Sequence, residues 1–249
     1  ASGKTTMLNS LSLFIRPELK IVSIEDTPEL RLPHPNWVPE VSREGFGFGE
    51  HETGRVTLDD LLKESLRQRP DYIIVGEVRG EEAYILFQQI STGHPGMSTI
   101  HASSLSKVMD RLTTKPIDLP PSLIDNLDLI LFMKRTRRQG EYLRRVDNIY
   151  EFEGYSKEEE KPLVNPLFRW DASDDKFDTS GESLILAKIA EEHGIETREV
   201  QEELLRRKKI LNWMLENEIK HYEDVARIIS NYYDRPEQVM RKVEGEKGG

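Results

Sequence analysis

The chain has no cysteine. That excludes a disulfide framework and any thiolate-based zinc site, and it gives no support to an oxidising compartment. Long apolar runs are missing too. Nothing approaches the roughly 18 apolar residues that a membrane-spanning helix needs. With 37% apolar and 32% charged residues, the expectation is a soluble, cytoplasmic protein. Nor is there an excess of basic charge, since the formal net charge is -10. General affinity for nucleic acid comes from clustered Lys and Arg releasing counterions, so this balance argues against a nucleic-acid partner. The first residues, Ala1-Ser2-Gly3-Lys4-Thr5-Thr6, lack the basic start and apolar stretch of a signal peptide and read as a cut end.

The 249 residues present suffice for one large domain with a smaller appendage. Apolar residues from Lys4 to Ile15 recur at helical spacing, and Arg16-Pro17 ends the run. Ile21 to Ile24 reads as a buried strand delivering Glu25 and Asp26, after which four prolines between Pro28 and Pro39 predict a loop. Thr57 followed by Asp60 resembles a capping box opening an amphipathic helix to Arg69. Then come a strand at Tyr72–Val75 ending in Gly76-Glu77, a helix over 81–90, and a strand over Met97–Ile100 ending at His101. Alternating helices and strands imply an α/β sheet, mostly parallel, with active residues at the strands' C-terminal ends. Leu129–Met133 and Tyr142–Phe152 flank a charged turn and predict a β-hairpin extension, and Leu167–Trp170 with Lys176-Phe177 predicts another. From about Glu182 the pattern is helical, over 182–193, 197–217 and 221–233. The reading divides the chain into a core, 1–154, and a hairpin and helical appendage, 155–249; Gly245–Gly249 should fray.

The chemistry rests on three segments. A phosphate-binding loop follows G-x-x-x-x-G-K-[ST], and Ala1-Ser2-Gly3-Lys4-Thr5 is its end, placed where a helix opens with free N–H groups and a positive dipole. Glu25 and Asp26 at a strand end would suit catalysis, although an acidic pair is equally a solvated turn or a cap. Pro70 to Glu77 supplies a second acid at the end of an apolar strand, where a nucleotide's magnesium or attacking water would lie. Ser91 to Ala102 adds His94 and His101 around a Gly-rich turn, residues that by themselves are as well read as core or surface.

Together these segments resemble the secretion ATPase superfamily that powers type II and type IV secretion, type IV pili and the archaellum. The resemblance covers about residues 1–150, and the absence of a four-cysteine zinc module makes it most similar to the archaeal members, with no zinc. It implies a RecA-like P-loop NTPase core, with ATP and Mg2+ as cofactors. Ser2, Gly3, Lys4, Thr5 and Thr6 would bind nucleotide, and Thr5 and Glu77 the metal. Glu25 in the acidic box would orient the attacking water, and Glu77, ending the Walker B strand in Gly76-Glu77-Val78-Arg79, would support the metal or water shell. His94, His101 and Arg79 would sense phosphate or meet a neighbouring subunit. The loop's first glycine, its strand and a nucleotide-closing N-terminal domain lie outside this stretch.

The function expected is Mg-dependent ATP hydrolysis by a homo-hexameric motor, associated peripherally with the membrane through a polytopic platform protein and driving export or filament assembly. A nucleic-acid-translocating P-loop NTPase and a non-catalytic assembly module are the alternatives. Basic clusters at Lys134, Arg135, Arg137, Arg138, Arg144 and Arg145, and at Arg206 to Lys209, read as solvated faces or as docking surfaces for an acidic partner or lipid headgroups.

Overall fold

The structure, a computed structural model, describes residues 2–45, 54–138, 140–156, 158–159, 161–179 and 181–245. Ala1 of the loop motif, Gln139 of the hairpin turn and the last four residues of the expected frayed end lie outside that set. The chain divides into two compact units. One comprises residues 1–8, 19–30 and 36–182; the other comprises 9–18, 31–35 and 183–249.

The first unit begins in helix α1 (Lys4–Ser12), whose residues beyond Leu8 belong to the other unit. Strand β1 (Ile21–Glu25) is buried along its whole length, as its β-branched run requires. Strand β2 (Trp37–Val41) corrects the sequence reading, which has a loop there. The proline-rich stretch suggests a break, but β2 is an edge strand, where Pro39 costs no ladder bond on its open side. Helix α2 (Leu58–Ser65) opens with the expected capping box: Asp60 N–H donates to Thr57 Oγ1 at 3.2 Å, and Thr57 N–H donates to Asp60 Oδ2 at 3.0 Å. Strand β3 (Tyr72–Val75), helix α3 (Glu82–Ser91) and strand β4 (Gly96–Ser98) follow, β4 ending two residues before the expected Ile100.

The sheet is parallel, in the order β2-β1-β3-β4. Ile24 pairs with Val75, and Val75 with Ser98, so the C-terminal ends of β1, β3 and β4 stand side by side. Helix α4 (Leu105–Thr113), absent from the sequence reading, is capped by Ser104 Oγ, and the short α5 (Pro121–Ile124) follows it. Val22, Leu62, Ile73, Leu86, Val108 and Ile124 meet in one core, each at 4% exposure or less. Burial of each such aliphatic side chain contributes about 1.5–3 kcal/mol.

Strands β5 (Leu129–Arg138), β6 (Glu141–Ser156), β7 (Lys161–Asp171) and β8 (Lys176–Thr179) form a four-stranded antiparallel sheet in sequence order. The two expected hairpins are thus joined through β6 and β7, and residue 154 lies inside β6. The α/β class, the parallel sheet and the antiparallel extension match the expected architecture.

The second unit holds α6 (Leu184–His193), α7 (Thr197–Glu216), α8 (Tyr222–Asp234) and α9 (Pro236–Val243). The sequence reading ends its last helix at 233, yet Pro236 starts a further one, α9, because a first-turn proline forfeits no helical hydrogen bond. Ile210, Met214, Tyr232 and Met240 form this unit's core. Tyr232 O–H donates to Glu203 Oε2 at 2.7 Å, and burial first, then that bond, pushes the phenol up to about 12. The α7 basic cluster is largely paired within the unit: Arg206 with Glu237, Arg207 with Glu203, and Lys209 with Glu244.

Candidate active site

The strand ends and the start of α1 carry the polar residues that the sequence singles out. Gly3 has φ +97°, a left-handed value that glycine tolerates, and its carbonyl accepts the Met7 N–H at 2.9 Å. The chain then enters α1 at Lys4. Lys4 Nζ lies 3.3 Å from His101 Nε2. His101 Nε2 is also 3.2 Å from Glu77 Oε1, and Arg79 Nη2 donates to Glu77 Oε2 at 2.6 Å. The structure therefore brings Lys4, Glu77, Arg79 and His101 into one cluster.

Several backbone contacts hold this arrangement. Val78 N–H donates to the Thr99 carbonyl at 2.9 Å, and Thr99 Oγ1 donates to the Gly76 carbonyl at 2.7 Å, tying the chain after β3 to the chain after β4. Buried Glu82 accepts from the backbone N–H groups of Arg79 and Gly80 and fixes the turn that carries Arg79.

The electrostatics follow from these contacts. The hydrogen bond and charge of Glu77 push the Arg79 guanidinium up. An ammonium has only donors, so the Lys4 contact uses His101 Nε2 as acceptor and places the ring proton on Nδ1.

Glu25 lies 4% exposed at the end of β1. Its Oε1 accepts from the backbone N–H groups of Glu29 at 3.0 Å and Leu30 at 3.1 Å. Burial raises its pKa, and those two hydrogen bonds oppose the rise. His94 stands elsewhere: it precedes β4 whereas His101 follows it, and its Nδ1 lies 3.3 Å from Thr92 Oγ1. Ser2, Thr5 and Thr6 flank Lys4 at the helix start.

Asp26 and Gly76, which the sequence reading names without assigning either a role of its own, join the site. Asp26 Oδ2 is 4.0 Å from Arg79 Nη1, and Ser42 Oγ donates to Asp26 Oδ1 at 2.8 Å. Asp26 is visible in sequence as half of an acidic pair, but its partner is set only by strand order. Gly76 is the other: a β-carbon there would stand 3.1 Å from Glu25 Cγ.

Glu77 Oε1 is buried and accepts no hydrogen bond, while its other oxygen binds Arg79. A hard oxygen left without a donor fits Mg2+, which takes few protein ligands and keeps water and phosphate oxygens. Among the described residues no group of three or more His, Cys, Asp and Glu could hold a metal alone, and no helix is long and apolar enough to cross a membrane.

Residues 1–143 match the family described as Type II/IV secretion system protein, and residues 173–248 match the family described as PilB3-like, C-terminal. The chain belongs to the type II/IV secretion system protein family. The chain is 46% identical over 232 residues to the uncharacterized protein MJ1287 of Methanocaldococcus jannaschii, across 93% of this chain and 84% of that one. It is 44% identical over 105 residues to Protein VirB11 of Agrobacterium fabrum, across 41% of this chain and 29% of that protein. Among solved structures, the VirB11 ATPase from the Brucella suis type IV secretion system, in complex with sulphate, is 28% identical over 61% of this chain and 45% of that one, with a TM-score of 0.49. The secretion ATPase resemblance and its archaeal leaning are upheld by the family match and the Methanocaldococcus relatives. Relatives differ in length: the chain spans 43% of MJ0900, a second protein of that organism.

Proposed function

We propose that this family member is the hydrolytic part of a Mg2+-dependent ATPase that works as a homo-hexamer against a polytopic membrane platform and drives protein export or filament assembly. The observation that carries the reading is the cluster of Lys4, His101, Glu77 and Arg79 at the opening of a helix beside three parallel strand ends.

In this reading the α1 N-terminus and Lys4 hold the β and γ phosphates, and Ser2, Gly3 and Thr6 line the loop. Thr5 and Glu77 hold Mg2+, which supplies neutralisation of charge on the phosphates. Lys4 exchanges His101 for phosphate when nucleotide arrives. His101, already 3.2 Å from Glu77, is then free to report whether the γ-phosphate is present. Glu25 orients the attacking water; its raised pKa brings the carboxylate nearer the range in which a base works at neutral pH. Arg79 holds one Glu77 oxygen so that the other is presented to the metal shell. His94 is assigned to a subunit contact, given its place at the far end of β4.

The test is sedimentation of the natural full-length protein with and without ATP and Mg2+, with turnover measured in the same samples. A six-subunit species whose turnover per subunit exceeds that of the monomer supports the reading. A monomer that hydrolyses ATP equally well contradicts the motor.

A further inference from the structure

The β5–β6 hairpin carries more cations than its strands need, and the structure accounts for all but one of those at issue. Side chains alternate between the two faces of a sheet. On one face Lys134 pairs with Asp147 at 3.2 Å, and Arg145 makes a two-pronged bond to Asp175, both distances 2.8 Å. Arg138 reaches the same Asp175 at 3.5 Å. On the other face Arg135 stacks 3.9 Å from the centre of the Tyr142 ring, and Arg137 lies 5.8 Å from the same ring.

Arg144 remains. It stands directly opposite Arg135 in the register, a like-charge pair that would repel were Arg135 not drawn onto Tyr142. Among the described residues no carboxylate lies within ion-pair distance of its guanidinium. Its stem instead runs over the phosphate-binding turn: a β-carbon on Gly3 would meet Arg144 Cδ at 3.1 Å and Arg144 Cβ at 3.8 Å. Met133 Cε packs on the same spot at 3.8 Å. Only Nε and Cζ separate that Cδ from the terminal donors, so the fork is within reach of phosphate oxygens held at Gly3-Lys4-Thr5.

We propose that Arg144 is a nucleotide-binding residue of the same chain, its guanidinium donating to phosphate oxygens of a nucleoside di- or triphosphate held at Gly3-Lys4-Thr5. This rests on the nucleotide-binding reading above and adds a residue to it. Arg is suited to the task because its planar fork stays charged and meets two phosphate oxygens at once. Gly3 matters for a second reason here, since a β-carbon at that position would press on the arginine stem and make it shift.

The test is titration of ADP, and separately of inorganic pyrophosphate, into the natural full-length protein and its R144M, R144K and R144A variants. Methionine keeps the stem packing over Gly3 and removes the charge. Loss of a charge-assisted hydrogen bond corresponds to about a 10- to 100-fold weakening. R144M and R144A should show it for both ligands, and R144K should recover part of it. Wild-type affinity in R144M would overturn the proposal by reducing Arg144 to packing. Weakened ADP with unchanged pyrophosphate would overturn the phosphate contact in favour of the base or ribose. If R144M does not fold, R144K and wild type still decide, because R144K keeps the charge but loses the two-pronged fork and must therefore fall below wild type. A wild-type protein that binds neither ligand would sink the nucleotide reading itself, whereas binding that R144M leaves unchanged would sink only Arg144.

Discussion

A β-carbon on Gly76 would stand 3.1 Å from Cγ of Glu25 and 3.6 Å from its Oε1, so the residue before Glu77 must be small for the two acidic strand ends to lie abreast. Strand register places them there: Ile24 pairs with Val75, Glu25 is the last residue of β1, and Glu77 lies two residues past the end of β3. The Gly-Glu ending of β3 is therefore a packing requirement as much as a chemical one.

Gly76→Ala should push the Glu25 side chain off its two backbone donors. Overpacking of this kind costs about 1–3 kcal/mol. The expected outcome is a modest loss of thermal stability, a large loss of ATP turnover and nearly unchanged ADP affinity. Stability and turnover both at wild-type level would show that the acids tolerate the added methyl.

Glu25 gives a pH prediction. Its pKa is raised, chiefly by burial, so the folded state favours the neutral form. Stability from this group is fully present below the unfolded carboxylate pKa and is lost as pH rises through the higher folded value. Glu25→Gln should therefore be at least as stable as wild type near pH 7. That advantage should vanish as the pH falls below the ordinary carboxylate range. Thermal melts of both proteins from pH 4 to 8 read this directly, and a wild-type advantage that grows with pH would reverse the sign.

Asp175 behaves in the opposite way. The Arg145 guanidinium first, then the Trp170 N–H, hold its carboxyl well below the usual carboxylate range. Its contribution is present above the unfolded pKa and is lost only as the pH falls through the folded value in strong acid. Asp175→Asn should lower the melting temperature at neutral pH without changing turnover. A melt that matches wild type across neutral pH would show that Arg145 and Arg138 find other partners.

Much of the α/β core was legible because its signals are local. The β-branched run of β1, the apolar run of β3 and the Thr57–Asp60 capping box each act within one element. Strand β2 escaped because a proline in an edge strand reads like a loop until its neighbours are known. Helix α9 escaped as well, since a proline that reads as a break can begin a helix. The end of α1 fell short of Ile15 because Leu13, Phe14 and Ile15 donate to carbonyls three residues back, a tighter winding that hydrophobic spacing does not distinguish. At the site, Lys4, Glu77 and His101 could be named from their segments. The roles of Asp26, Ser42 and Arg144 depend on which strands lie side by side, and no spacing within one segment carries that information.

The most direct test of the account separates binding from chemistry in the full-length protein: Mg2+-dependent ATP turnover and ATP affinity for wild type, Glu77→Gln and Lys4→Ala. Glu77→Gln should bind ATP near wild-type strength and lose at least about a hundredfold in turnover, as expected when a charge-stabilising group is removed. Lys4→Ala should lose both. Normal turnover in Glu77→Gln, or undiminished binding in Lys4→Ala, would contradict the assignment of this cluster to ATP hydrolysis.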